Sequence, residues 1–198
     1  MIGDTVEVLK ALSIFIADTK KCMWEKRFPE KYSPLLEDLN LKLQGAAKAV
    51  ERVFDAINKF YNISSLDSLQ KASSAFEILK FEDEIISMLN FLSAAKIRLQ
   101  IIVGEVVKEP FEKVDILERI AVIDDVLKYF SKEKLSEQIS LQVKTALENI
   151  LSDTSLDDID VQKLIEQSTK IKPDFSYRIR FVSEYPNLSS LILKYSKS

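Results

Sequence analysis

Residues 34 to 61 read PLLEDLNLKLQGAAKAVERVFDAINKFY, and this stretch decides the fold. Its apolar side chains follow alternating steps of three and four residues, a heptad pattern typical of a helix that packs against other helices. The residues of this heptad seam are Leu36, Leu39, Leu43, Ala46, Val50, Val53, Ile57 and Phe60. Ser33 can cap the free amides at the start, and a proline at position 34 suits the first helical position.

The positions beside the seam are also apolar, as Ala47, Phe54 and Tyr61 illustrate. A two-stranded coiled coil would carry charged side chains there. A wide apolar face instead suits a helix with several neighbours, so the pattern predicts a multi-helix bundle.

A second long apolar stripe begins after residues 62 to 65. It is interrupted by the acidic residues 82 to 84 and then continues to Pro110, and its members are Leu66, Leu69, Ala72, Phe76, Leu79, Ile85, Leu89, Leu92, Leu99, Ile102 and Val106. The short link at 62 to 65 predicts that this segment is one long helix, paired antiparallel with the helix at 34 to 61. Shorter helices are predicted at about 4 to 27, 112 to 130, 132 to 151, 156 to 168 and 187 to 195. The first is apolar nearly all round at Leu12, Ile14, Phe15 and Ile16 and should lie between other elements. The apolar face predicted for 112 to 130 consists of Val114, Leu117, Ile120, Ile123, Leu127 and Phe130.

The carboxy-terminal segment differs in character. YRIRFV at 177 to 182 alternates like a β-strand, and residues 161 to 198 hold seven basic and three acidic side chains. We therefore predict an all-α fold: a multi-helix bundle built on a long antiparallel helical hairpin, with a short extended or mixed C-terminal tail. The predicted domains are a helical bundle at 1 to 172 and a tail or appendage at 173 to 198.

Composition argues against most enzyme classes. The chain of 198 residues has no histidine, one cysteine and three glycines. Histidine is the commonest general base and transition-metal ligand, and phosphate-binding loops are rich in glycine. We expect a non-enzymatic protein with no catalytic residues, no cofactor and no bound metal.

Two runs of carboxylates are the remaining candidates for a metal site or for catalysis. DTSLDDID at 153 to 160 lacks the glycine and the ligand spacing of a calcium loop, whereas Ser155 and Asp158 have the spacing of a helix capping box. Glu82, Asp83 and Glu84 are typical of a solvated turn of a helix. A magnesium-dependent enzyme that uses such carboxylates is the alternative for catalysis.

Cys22 could be a reactive thiol, with Lys20, Lys21 and Lys26 as the cations that would lower its pKa. A structural cysteine is favoured, because no histidine is present to act as its base. The apolar run at 11 to 17 is too short to span a bilayer, and Asp4 and Glu7 do not fit a secretory signal. We therefore predict a cytoplasmic protein with no transmembrane segment.

The candidate interaction surface is Tyr177, Arg178, Arg180 and Phe181. Interleaved aromatic and basic groups can combine base stacking with attraction to phosphates, although an ordinary half-buried strand has the same pattern. The excess of apolar stripes over reactive groups predicts an assembly or scaffold protein that works through a protein partner or self-association. The alternative is a nucleic-acid-binding accessory subunit, which uses the basic tail together with Lys42, Lys48, Arg52 and Lys59.

Overall fold

The fold is known from a computed structural model that describes residues 2–61, 81–132 and 175–196, with side chains for 5–56, 83–131 and 179–196. The predicted helices at 132 to 151 and 156 to 168, the link at 62 to 65, the first part of the predicted long second helix at 66 to 80 and the DTSLDDID run lie outside the described residues. The described part contains helices and no strand, which confirms the all-α prediction.

Six helices make up this part of the chain. They are α1 (Ile2–Glu25), α2 (Ser33–Tyr61), α3 (Phe81–Ile101), α4 (Pro110–Lys132), α5 (Phe175–Glu184) and α6 (Pro186–Tyr195). A short 3₁₀ turn, Glu30–Tyr32, precedes α2, and a π-helical turn, Ile102–Val106, extends α3. The predicted end of α3 before Pro110 is confirmed. Helix α2 begins one residue earlier than predicted, and Ser33 has helical dihedral angles (φ −53°, ψ −42°), so the prediction of Ser33 as the cap before the helix is wrong.

The pair α2 and α3 forms the antiparallel hairpin that the sequence predicts. Three contacts fix its register: Asp38 pairs with Arg98, Gly45 faces Phe91, and Arg52 pairs with Glu84. Each step of seven residues forward along α2 matches a step of seven backward along α3. This constant register is that of two helices packed with heptad periodicity.

The predicted heptad seam of α2 is buried from Leu39 to Val53, whereas Leu36 at its start is half-buried. Leu39, Leu43, Ala46, Val50 and Val53 are almost wholly inaccessible to solvent, and so is a matching seam on α3 formed by Ile85, Met88, Leu92, Ala95, Leu99 and Ile102. Burial of a leucine or valine side chain contributes about 1.5–3 kcal/mol to folding. The hairpin therefore supplies much of the apolar stabilisation of the bundle.

Helices α1 and α4 complete an up-down-up-down bundle. Cys22 contacts Asp115 while Asp18 contacts Arg119, so α1 runs antiparallel to α4. Helix α6 packs against both α1 and α4 and adds Leu188 and Leu191 to the common core, together with Tyr185 just before it. As predicted, Leu12, Phe15 and Ile16 of α1 are buried, but Ile14 is 44% exposed, so this helix is not covered all round.

The strand predicted at 177 to 182 is wrong, because these residues form α5. Helical spacing places Phe181 next to Tyr185, and both rings contact Tyr129 of α4 edge-on, with centroids 5.5 and 5.3 Å from it. This aromatic packing stabilises a helix here, although the alternating sequence is typical of a strand.

The apolar face predicted for α4 is correct at Ile120, Ile123 and Phe130 but wrong at Val114 and Leu117. Val114 and Leu117 are exposed, and Ile116 occupies the core in their place. The first half of α4 has apolar side chains on two faces, and contacts with other helices decide which face is buried.

One turn of α4 holds the junction between α5 and α6. Asp125 Oδ2 accepts hydrogen bonds from the backbone N–H groups of Asn187 at 2.7 Å and Leu188 at 3.0 Å, at the start of α6. Lys128 Nζ donates to the carbonyl oxygen of Glu184 at the end of α5, at 3.0 Å. Backbone groups that have no partner within their own helix, at the end of α5 and the start of α6, are thus hydrogen-bonded to side chains of α4.

Candidate functional site

A groove lies between the end of α1 and the beginning of α2, with a volume of about 440 Å³. We call it the elbow groove; its lining residues are Lys20, Met23, Trp24, Lys26, Arg27, Phe28, Ser33, Leu36, Glu37, Leu39, Asn40 and Leu43. Met23, Leu39 and Leu43 are buried and form the floor, while Trp24 is 81% exposed. Ligand sites in proteins have this size and this mixture of an apolar interior with a few polar groups.

The elbow groove has a cationic rim. Lys20, Lys26 and Arg27 contribute three positive charges, against one carboxylate, Glu37. Lys26 Nζ lies 3.6 Å from Asp115 and 4.0 Å from Glu112. Among the described residues, Lys20 and Arg27 have no ion-pair partner, so these two cations remain available to a ligand.

Behind the groove, a network of polar side chains joins α1 to α4. Arg119 Nη1 donates to Asp18 Oδ2 at 3.1 Å and to Thr19 Oγ1 at 2.9 Å, and its Nε lies 3.5 Å from Asp115. Desolvation favours the neutral form of Arg119, but Asp115, Asp18 and Cys22, which is ionised at the high pH where Arg119 titrates, outweigh it and hold the pKa of Arg119 above its usual value. The side chain of Arg119 is only 13% exposed, so the network is an internal tie between the two helices.

Cys22 belongs to this network. Its Sγ–H donates to Asp115 Oδ2 at 3.2 Å. Burial and this hydrogen bond raise the pKa of Cys22, although the charges of Arg119 and Lys26 act in the opposite direction. A raised pKa leaves little thiolate at neutral pH, which opposes the reactive interpretation of Cys22.

The acidic turn at 82 to 84 lies where α3 begins its contact with α2. Glu84 pairs with Arg52 at 3.1 Å and Asp83 is exposed, while the side chain of Glu82 lies outside the described residues. Within residues 5–56, 83–131 and 179–196, no group of three or more acidic or cysteine side chains is arranged to hold a metal ion. The magnesium alternative stays a prediction.

The helix places the described residues of the candidate interaction surface at the C-terminus on different sides. Arg180 is exposed, whereas Phe181 is half-buried in the aromatic cluster with Tyr129 and Tyr185. The side chains of Tyr177 and Arg178 lie outside the described residues. Phe181 thus already uses its ring in internal packing.

Two of the basic residues proposed on α2 have acidic neighbours. Lys42 lies 3.5 Å from Asp38, and Arg52 pairs with Glu84. Lys48 is exposed, and the side chain of Lys59 is outside the described part of the chain. Their partners reduce the positive charge that this face offers to a phosphate backbone.

A second candidate surface lies on the first two turns of α4. Phe111, Val114 and Leu117 are 85%, 52% and 50% exposed and lie on one side of the helix at steps of three residues. We call these three residues the outward stripe. Lys113 and Glu118 flank it and have no ion-pair partner among the described residues.

Helix Asp83–Val106 is long and apolar enough to cross a membrane by length and composition. Its heptad seam is buried in the bundle, and a core helix passes the same test. The prediction of no transmembrane segment therefore stays a prediction.

Comparisons with protein-family models, with curated proteins and with solved structures find no significant match to this chain. The geometry of its own residues is therefore the basis for any functional inference. The sequence reasoning did not find the elbow groove, although Lys20, Met23, Trp24 and Arg27 follow the spacing of one helix face. It also did not anticipate the outward stripe, because Val114 and Leu117 were assigned to the core.

Proposed function

We propose that the chain is a non-enzymatic assembly protein, and that it self-associates through the outward stripe. The observation that carries the proposal is the exposure of Phe111, Val114 and Leu117 on one side of α4. Contiguous exposed apolar side chains are typical of interaction surfaces, because their burial against a partner releases water.

The charges beside the stripe favour a second copy of the chain as the partner. In a parallel pairing of two α4 helices about a two-fold axis along the helices, Val114 and Leu117 each face the same residue of the second copy. The same axis places Lys113 opposite Glu118, so each dimer gains two attractive pairs of opposite charge. A surface of three apolar residues is small, and we expect a weak, concentration-dependent dimer.

Analytical ultracentrifugation with light scattering tests the proposal. The chain has a mass of 22.7 kDa, and its average mass should approach twice this value as concentration rises. The double variant Phe111→Ser and Leu117→Ser should remain monomeric. Leu41→Ser is the matched control, because Leu41 is 61% exposed on α2, outside the stripe, and its loss should leave the dimer unchanged.

Binding of nucleic acid as an accessory subunit is a second candidate function. Its support is the exposed Arg180 and the seven basic against three acidic side chains in residues 161 to 198. Affinity for single-stranded oligonucleotides should then fall steeply with salt, and Arg180→Gln should reduce the slope. Binding that is absent at low salt would remove this candidate.

A further inference from the structure

We propose that the elbow groove binds an amphiphilic monoanion with a single alkyl chain, of the fatty-acid carboxylate class. This inference is independent of self-association through α4. It rests on three features of the groove: an apolar floor, a cationic rim and a volume of about 440 Å³.

The interior of the groove suits an alkyl chain. Met23, Leu39 and Leu43 are buried beneath it, and Phe28 and Leu36 form half-buried walls. None of these side chains offers a strong hydrogen-bond donor or acceptor, so an apolar chain would lose no hydrogen bonds when it entered. Its transfer from water to this surface is the main driving force for binding.

The rim selects the charge of the head group. Lys20 and Arg27 lie at the groove without ion-pair partners among the described residues, whereas Lys26 is engaged by Asp115 and Glu112. A carboxylate between Lys20 and Arg27 would gain charge-assisted hydrogen bonds, which are about twice as strong as neutral ones. Glu37 lies on the same rim and would repel a second negative charge on the head group, so a single negative charge fits best.

Trp24 makes the test direct, because it lines the groove and is the only tryptophan in the chain. Laurate, dodecanol and dodecyltrimethylammonium are titrated into the full chain below their micelle concentrations, and tryptophan fluorescence and calorimetry are recorded. We expect saturable binding of laurate with a blue shift of the Trp24 emission. Dodecanol should bind about tenfold more weakly, and the cation should bind more weakly still.

The variants Lys20→Met and Arg27→Met keep most of the apolar length of each side chain and remove one charge. Each should weaken laurate about tenfold and leave dodecanol unchanged. Lys21→Met is the matched control, since Lys21 is exposed on α1, is not part of the groove and pairs with Glu25. Its affinity for laurate should equal that of the unmodified chain.

Several results would overturn the proposal. Calorimetry that detects no laurate binding would do so, as would equal affinity for the anion and the cation. Loss of affinity in Lys21→Met equal to that in Lys20→Met would show general attraction to surface charge. If Lys20→Met and Arg27→Met abolish self-association in the ultracentrifuge, the occupant of the groove is a second copy of the chain and not an amphiphile.

Discussion

The ring of Phe91 lies directly against the backbone of Gly45, so that a Cβ atom at position 45 would be 2.5 Å from Phe91 Cε1. Ion pairs lie seven residues away on either side of this contact, Arg98 with Asp38 and Arg52 with Glu84. The hairpin of α2 and α3 is thus fixed by one close steric contact between two electrostatic ones.

The substitution Gly45→Ala should destabilise the protein even though alanine is the better helix former. Alanine gains about 1 kcal/mol of helix propensity, but the displacement of the Phe91 ring should cost more than that. We expect a net loss of about 1–2 kcal/mol in the free energy of unfolding, measured by urea denaturation.

Gly104→Ala is the control for this prediction, because nothing lies within 4 Å of the Cβ that it would add. It should be neutral or stabilising. Phe91→Leu combined with Gly45→Ala should recover part of the loss, since the shorter side chain leaves room for the new methyl group. A stabilised Gly45→Ala variant would contradict the close contact.

Removal of the Asp125 side chain should destabilise the docking of α6. Asp125→Ala leaves the buried N–H of Leu188 and the N–H of Asn187 without their acceptor, and we expect a loss of about 2 kcal/mol. Hydrogen exchange at these two amides should accelerate. The neighbouring Asp124 carboxylate pairs with Lys96 at the surface, so Asp124→Ala should change stability by only about 0.5 kcal/mol.

The reactivity of the Cys22 thiol should depend on the neighbouring carboxylate of Asp115. Burial and the hydrogen bond to Asp115 raise the pKa of Cys22, so the native chain should react slowly with a disulfide reagent at pH 7. Asp115→Asn removes the negative charge and leaves Arg119 and Lys26 in place, and the reaction should become several-fold faster. Lys26→Met should slow it. An unchanged rate in Asp115→Asn would show that burial alone protects the thiol.

Acid should weaken the tie between α1 and α4. Desolvation acts to raise the pKa of Asp115, but the hydrogen bond from Cys22 and the charges of Arg119 and Lys26 outweigh it and hold the pKa below its ordinary value of 3.8. The native state therefore favours the ionised form. The stabilisation is fully present above pH 3.8 and is lost as pH falls through the native pKa.

Asp115→Asn should accordingly show a smaller fall in melting temperature between neutral and strongly acidic pH than the native chain does. Asp55→Asn is the control, because Asp55 is exposed and has no ion pair among the described residues. Equal pH dependence in all three proteins would remove Asp115 from the acid response.

The sequence predicted the hairpin well because a heptad pattern specifies both helix and buried face. Leu39, Val50 and Val53 are buried as expected, and the proline at 110 follows the end of the segment as expected. Such local signals need no knowledge of the partner, since periodicity alone indicates the face that must be covered.

Other features depend on contacts between distant residues. The alternation at 177 to 182 indicates a strand, but Phe181 also lies four residues before Tyr185, and in the helix both rings contact Tyr129 of α4. The hydrogen bond from Cys22 to Asp115 joins residues 93 positions apart. No spacing in the sequence indicates that pairing, nor the meeting of α1 and α2 that forms the elbow groove.

The most direct test of self-association is a mixing experiment in the ultracentrifuge with Lys113→Glu and Glu118→Lys. In the proposed parallel dimer each variant alone brings like charges together twice, whereas the mixed dimer contains two attractive pairs. We predict that each variant alone sediments as a monomer and that an equimolar mixture sediments with the mass of two chains. A mixture that stays monomeric, while the native chain also stays monomeric at high concentration, would contradict the proposal.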